Sequence, residues 1–264
     1  MRAKKSLGQN FLKSKPALAA IRDASDVNAL DVILEVGPGK GALTETLLTL
    51  AGKVIAVEKD EALVALLQEK FAAEIAAGKL DLRAGDIMEF DPELMRFYTN
   101  DGLVYKIAAN IPYYITGIFI RKFLTASLQP ERMVLLVQKE VAKRIVANDK
   151  KESLLSLSVK AYGTPRYVET VQAKYFSPAP NVDSAIISIE NISRDFFSDL
   201  SEESFFKAIK AGFAHKRKQL AGNLREVYSR EAVEQAFKTT QLDEKIRAED
   251  IPLDVWKKIA LALG

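Results

Sequence analysis

Three positions in the first third of the chain combine residue types that handle a nucleotide. The first is Glu35-Val36-Gly37-Pro38-Gly39-Lys40-Gly41, where glycines let the backbone turn tightly and approach a ligand with no side chain in the way. Nineteen residues after Gly39 stands Glu58, a carboxylate able to accept hydrogen bonds from both hydroxyls of a ribose. Asp86, preceded by Gly85, is placed to meet an adenine amine. A phosphate-cradling P-loop is excluded, because Lys40 is followed by Gly41 rather than by Ser or Thr. Gly37, Gly39 and Ala42 also satisfy the dinucleotide fingerprint, so the loop alone leaves nicotinamide dinucleotide and S-adenosylmethionine both open.

The elements that must position these residues follow from the apolar pattern. Val32 to Val36 reads as a buried strand that stops at Gly37, and a helix pattern follows from Ala42 to Leu50. Val54 to Val57 is the next strand, Glu61 to Ala76 the next helix, and Leu80 to Ala84 and Leu103 to Ala108 two further strands. A helix over Ile118 to Thr125 leads to a strand over Met133 to Val137. Strands alternating with helices predict an α/β fold: a doubly wound, mostly parallel, Rossmann-like sheet whose ligand edge is formed by the carboxyl ends of the strands. Arg166 to Ala173 and Ala185 to Ile189 read as an antiparallel hairpin closing the sheet edge. From Ser201 onward only helical periodicity is present, with Ser201 as a cap and Glu202 and Glu203 in the first turn. Two domains are therefore expected, residues 1–192 and a small all-helical domain over 193–264.

Composition narrows the setting. With 48% hydrophobic and 28% charged residues in 264, a buried core and a hydrated surface are both assured. No apolar run reaches the length of a membrane span, and the basic start of the chain leads into polar residues rather than a signal peptide. The absence of cysteine removes disulfides and thiolate metal sites and fits the cytoplasm. No membrane partner, no metal and a monomer are the expectations. The net charge of +3 permits a nucleic-acid partner, so the distribution of charge has to make that case.

The fourth strand runs into Ala109-Asn110-Ile111-Pro112-Tyr113-Tyr114-Ile115-Thr116. This stretch resembles the [Asn/Asp/Ser]-Pro-Pro-[Tyr/Phe] loop of methyltransferases that act on exocyclic base amines. Together with Lys5-Ser6-Leu7-Gly8-Gln9-Asn10-Phe11-Leu12 and Phe176-Ser177-Pro178-Ala179-Pro180-Asn181-Val182-Asp183-Ser184-Ala185, it is similar to the ribosomal RNA adenine dimethyltransferase family, and the likeness covers nearly the whole chain. The resemblance implies a class I methyltransferase sheet with S-adenosylmethionine as cofactor. It places Asn10 and Leu12 over that cofactor, with Gly37, Gly39, Glu58, Asp86, Ile87 and Asn110 completing the pocket. The chemistry shows why the loop is needed. An adenine amine is a poor nucleophile because its lone pair is delocalised into the ring. Two acceptors, the Asn110 side-chain oxygen and the Ile111 carbonyl, can pull the nitrogen toward a pyramidal geometry while Pro112 stiffens the turn. Tyr113 stacks on the extruded base, and the resemblance puts Phe176 on the far side of it. The family varies at Tyr114. No strong general base is required, and the single histidine, His215, falls in what reads as a basic helix.

Lys207, Lys210, Lys216, Arg217, Lys218 and Arg225 occur in a run without an acidic residue, a plausible phosphate-binding surface. Phe206, Ile209 and Phe213 are expected to pack its other face. The family's Phe-x-x-[Arg/Lys]-[Arg/Lys]-Lys-x-Leu segment is matched by Phe213, Lys216, Arg217, Lys218 and Leu220, which points to RNA. Lys4, Lys5 and Arg144 are further RNA-binding candidates. The implied partner is small-subunit (16S) ribosomal RNA or a pre-small ribosomal subunit, methylated twice at each of two adjacent adenosines in a hairpin near the 3′ end. Three rivals stand beside it: a large-subunit (23S) enzyme of the macrolide-resistance type, a ribosome-assembly factor that binds RNA without catalysis, and a nicotinamide oxidoreductase.

Overall fold

The computed structural model describes residues 4, 7–99, 104–147 and 149–264. Lys5, one of the RNA-binding candidates, lies outside the described residues. The chain divides into two compact units, Met1–Ala142 with Thr164–Ile192, and Lys143–Gly163 with Ser193–Gly264. Segment 143–163, placed in the first domain by the sequence pattern, clusters with the second unit. There the Ser193 N–H donates to the Tyr162 carbonyl at 2.8 Å and the Glu152 N–H to the Glu249 carbonyl at 2.8 Å.

The first unit starts with a short strand, β1 (Phe11–Leu12), and helix α1 (Lys15–Ser25). Ser14 caps α1 by accepting from the Ala17 N–H, and a proline sits in its first turn, where the missing N–H costs nothing. Strand β2 (Val32–Val36), helix α2 (Ala42–Leu48), strand β3 (Lys53–Glu58), helices α3 (Glu61–Lys70) and α4 (Ala72–Ala76), and strand β4 (Leu80–Ala84) follow. Next come β5 (Tyr105–Asn110), α5 (Thr116–Leu124), β6 (Arg132–Gln138) and α6 (Lys139–Val146), which runs into the second unit and leads to α7 (Leu154–Lys160). Strands β7 (Thr164–Val171), β8 (Phe176–Ser177) and β9 (Ser184–Glu190) return to the first unit. Seven strands make one sheet in the order β4-β3-β2-β5-β6-β9-β7. Its first five strands are parallel, and β9 and β7 add an antiparallel hairpin at one edge.

Packing explains where elements begin and end. All five residues of β2 are buried, and each large apolar one contributes roughly 1.5–3 kcal/mol. Together they offset the cost of burying Glu35 among them. The helix expected over Glu61 to Ala76 is broken at Phe71, whose backbone leaves the helical region (φ −114°, ψ 29°). Its buried ring lies so close under the glycine loop that a Cβ on Gly41 would stand 2.5 Å from it. Strand β1 pairs with β8, Leu12 opposite Phe176, a link between segments far apart in sequence that no local pattern announces.

The second unit adds α8 (Glu202–Gly212), α9 (Leu220–Leu224), α10 (Arg230–Thr240) and α11 (Leu253–Leu263) to α7. Ser201 caps α8 by accepting from the Ser204 N–H at 3.0 Å. Phe205, Ala208 and Ile209 form the buried face of α8, and Phe206, expected there, is only half-buried. Its ring lies instead beside those of Phe205, Phe197 and Tyr162. Trp256 is fully buried and stacks on Phe213 at 5.8 Å between centroids.

Candidate active site

Because β2 to β5 are parallel, their carboxyl ends share one edge, and a cavity of about 310 Å³ opens there. Parallel pairing thus carries Val36, Gly37 and Gly39 and residues 57–59, 85–88 and 110–115 to the wall of one cavity, joined by residues 7–11 from the N-terminal segment. Asn10, Gly37, Gly39, Glu58, Asp86, Ile87, Asn110, Ile111, Pro112 and Tyr113, singled out from the sequence, all line it. Gly37 (φ +66°) and Gly39 (φ +61°) occupy the left-handed region. A Cβ on Gly39 would press to 3.0 Å from the Phe11 ring, so any larger residue would disturb the cavity wall.

Backbone groups hold Glu58 and Asn110, and backbone and side chain together hold Asp86. Glu58 accepts from the Gly39 N–H at 3.1 Å through Oε2 and from the Asp60 N–H at 2.9 Å through Oε1. Each oxygen retains capacity for a second donor, as a pair of adjacent hydroxyls requires. Burial pushes the Glu58 carboxyl up, and these backbone N–H groups oppose the shift. Asp86 accepts from the Met88 N–H at 2.9 Å and pairs with Lys59 Nζ at 2.7 Å; the Lys59 ammonium holds its carboxyl below the usual range. Asn110 Nδ2 donates to the Asn10 carbonyl at 3.1 Å, which fixes the orientation of the amide and leaves its oxygen for another donor. The Tyr113 hydroxyl shares a 2.6 Å hydrogen bond with Ser184 on β9, and burial raises its pKa, so it stays protonated.

A second cavity of about 40 Å³ lies behind the glycine loop, lined by Leu12, Glu35, Gly37 and Asn110 among others. Glu35 is buried, and its Oε2 has no hydrogen-bond partner among the described residues. Burial pushes its carboxyl up to about 8, with the negative Glu58 adding to the effect.

Leu12 and Phe176 do not reach the main cavity. Leu12 borders the smaller one, and Phe176, only 4% exposed, packs in the apolar core with Leu12, Ile21 and Val171. Pairing of β1 with β8 turns both side chains inward. Lys4 is tied to Asp60 at 2.7 Å, an acid that also accepts from Gln9 and caps α3, so its charge is already matched. In the second unit His215, read as part of a basic helix, lies in a turn segment over 213–219, and Lys216, Arg217 and Lys218 are exposed on it. Glu226, one residue beyond the cationic run, binds Lys218 at 2.6 Å and His215 at 3.1 Å. Lys216 and Arg217 have no ion pair among the described residues. Arg144 is exposed on α6.

Lys59, Ser184 and Glu35 were not selected from the sequence. Lys59 directly follows Glu58 and Ser184 lies within the Pro180–Ala185 stretch, so neighbouring position was the available signal; only the fold shows what each one touches. Among the described residues no cluster of His, Cys, Asp or Glu is placed to hold a metal ion, and no helix is long and apolar enough to cross a membrane.

The model of the ribosomal RNA adenine dimethylase family matches residues 1–263. A ribosomal RNA small subunit methyltransferase A from Dehalococcoides mccartyi (strain CBDB1) is 42% identical over 263 residues, covering 99% of this chain and 88% of the relative. Among solved structures, a dimethyladenosine transferase from Plasmodium falciparum superposes with a TM-score of 0.80 at 24% identity, covering 95% of this chain and 96% of that one. The 23S rRNA methyltransferase ErmE does so with a TM-score of 0.77 at 22% identity, covering 96% and 99%. At these identities the two structures share the fold.

Proposed function

The chain belongs to the ribosomal RNA adenine dimethylase family, and on that premise we propose that it dimethylates two adjacent adenosines in the 3′-terminal hairpin of small-subunit ribosomal RNA. It is an S-adenosylmethionine-dependent ribosomal RNA adenine methyltransferase. The small subunit is preferred as substrate because the 42% identical relative is named for it, whereas the large-subunit enzyme is similar at 22%. The absence of cysteine fits the cytoplasm, where we place the reaction, with the chain acting as a monomer.

The residues present fit the cofactor. Glu58 has one acceptor position free on each oxygen for the ribose hydroxyls, Asp86 faces the cavity beside Ile87 for the adenine amine, and the Gly37–Gly39 turn admits the methionyl part without a side chain. Bound S-adenosylmethionine supplies an electrophilic methyl on a positively charged sulfur, so the protein has to orient the amine rather than ionise it.

The observation that carries the reading is the orientation of Asn110. With its nitrogen spent on the Asn10 carbonyl, the side-chain oxygen is the group left to draw on an amine hydrogen, and the Ile111 carbonyl is the second acceptor. Tyr113, pinned through Ser184, presents its ring for stacking on the flipped base. Its raised pKa rules it out as a base. The helical residues 193–264, with Lys216 and Arg217, are assigned to RNA recognition.

Transfer of labelled methyl to undermethylated small subunits, run beside large subunits and followed by nucleoside analysis, tests the assignment. Dimethyladenosine in small subunits alone is the expected outcome. Label in large subunits would point to the resistance-type enzyme, and transfer to neither would favour a binding factor.

A further inference from the structure

Tyr114 has no part in the reaction above, yet it lines the cavity and is 66% exposed. One edge of its ring rests near Gly8, where an added Cβ would be 3.5 Å from Cε1, and among the described residues no other ring stacks on it. Below it, α5 buries Phe119, Ile120 and Phe123 and turns Ile118, 62% exposed, and Arg121 outward. Tyr114 lies in the 3-10 turn Tyr113–Ile115 that leads directly into α5, so an exposed aromatic at the cavity mouth is followed along the chain by an exposed aliphatic and an exposed cation. Arg121 has no ion pair among the described residues.

The occupant follows from covalent structure. A base that enters the cavity is attached through its phosphates to neighbours that cannot follow it, and those neighbours must lie at the rim. A neighbour pulled from its own stack regains stacking only if the protein offers a flat apolar ring. We propose that Tyr114 is the platform for the unpaired purine next to the target adenosine, with Ile118 against that nucleotide and Arg121 toward its phosphate. The inference rests on the RNA-methylating reading and extends it: while one of two adjacent adenosines reacts, the other is held on Tyr114, ready for the next round.

The test is a binding cycle on a hairpin RNA with two adjacent adenosines in its loop, with S-adenosylhomocysteine present. Y114A should bind this RNA about tenfold more weakly than wild type, the scale of one base–aromatic stack, and Y114F and Y114W should restore affinity. Replacing the flanking nucleotides one at a time by an abasic unit should, for one of them, abolish the difference between wild type and Y114A, which a merely structural defect would not do. R121Q should lower the slope of log affinity against log salt by about 0.7. Equal binding of the intact hairpin by wild type and Y114A, or a difference that survives every abasic substitution, overturns the platform. Wild type that failed to bind the hairpin at all would also overturn the platform, whereas absence of methyl transfer to undermethylated small subunits would overturn the RNA-methylating reading on which it rests.

Discussion

Around the cavity Glu58 and Asn110 are held by backbone groups, whereas on the turn between α8 and α9 His215 and Lys218 are held by one exposed side chain, Glu226. Glu58 is held by the N–H groups of Gly39 and Asp60, Asp86 by Met88 and Asn110 by the Asn10 carbonyl. His215 and Lys218 share the exposed carboxylate of Glu226. The first arrangement is fixed by strand pairing and is preorganised. The second is exposed, screened by salt and free to exchange partners. A methyl transfer that depends on position belongs to the first kind of site, and a phosphate-tracking surface suits the second.

The comparison yields four predictions in decreasing size. Asn110→Ala should lower kcat by about 100- to 1,000-fold, the scale for removing one preorganised hydrogen-bonding group, while S-adenosylhomocysteine still binds by calorimetry. A near-normal rate would remove Asn110 from the mechanism. Glu58→Gln should weaken cofactor binding by roughly 10- to 100-fold, because a charge-assisted acceptor becomes a neutral one; titration with S-adenosylmethionine measures it.

Glu35 gives a pH-dependent expectation. Its carboxyl stands at about 8 in the folded chain against 4.5 ordinarily, so between those values the unfolded state has lost a proton that the folded state keeps. Its burial therefore costs increasing stability as pH rises from about 4.5 to 8, up to a few kcal/mol. Glu35→Gln removes that cost, and its Tm should exceed wild type by a margin that widens from pH 5 to pH 8. A margin independent of pH would show that Glu35 is already ionised.

The smallest effects belong to the cationic turn. Replacing Lys216 and Arg217 together by Gln should weaken RNA binding several-fold and reduce the salt slope by between about 1 and 2. Lys218→Gln, whose charge is already matched by Glu226, should change affinity less than either. If Lys218 proved dominant, Glu226 would have to release it on contact with RNA.

Most of the site was legible because parallel sheets convert sequence order into geometry. Once Val32–Val36, Lys53–Glu58, Leu80–Ala84 and Tyr105–Asn110 pair in parallel, the residues that end them must meet, and the hydrophobic pattern predicts that pairing. The second unit was less legible. Helical period was visible from Ser201 onward but not over α7, and because Phe205 and Phe206 are both aromatic, only packing selects Phe205 for the buried face. The run from Lys207 to Arg225 looked uniformly basic because Glu226, which binds Lys218 and His215, lies just beyond it.

What the sequence determined by itself was therefore the strand and helix order, the glycine turn, and the meeting of Glu58, Asp86 and Asn110, since these follow from local periodicity and the direction of strands. What only the tertiary structure decided was the fate of side chains governed by partners distant in the chain. The β1–β8 pairing buries Leu12 and Phe176, Lys59 is drawn onto Asp86, and the Asn10 carbonyl sets which atom of Asn110 is left for a substrate. Such contacts depend on register and packing across the whole unit, which a one-dimensional pattern does not contain.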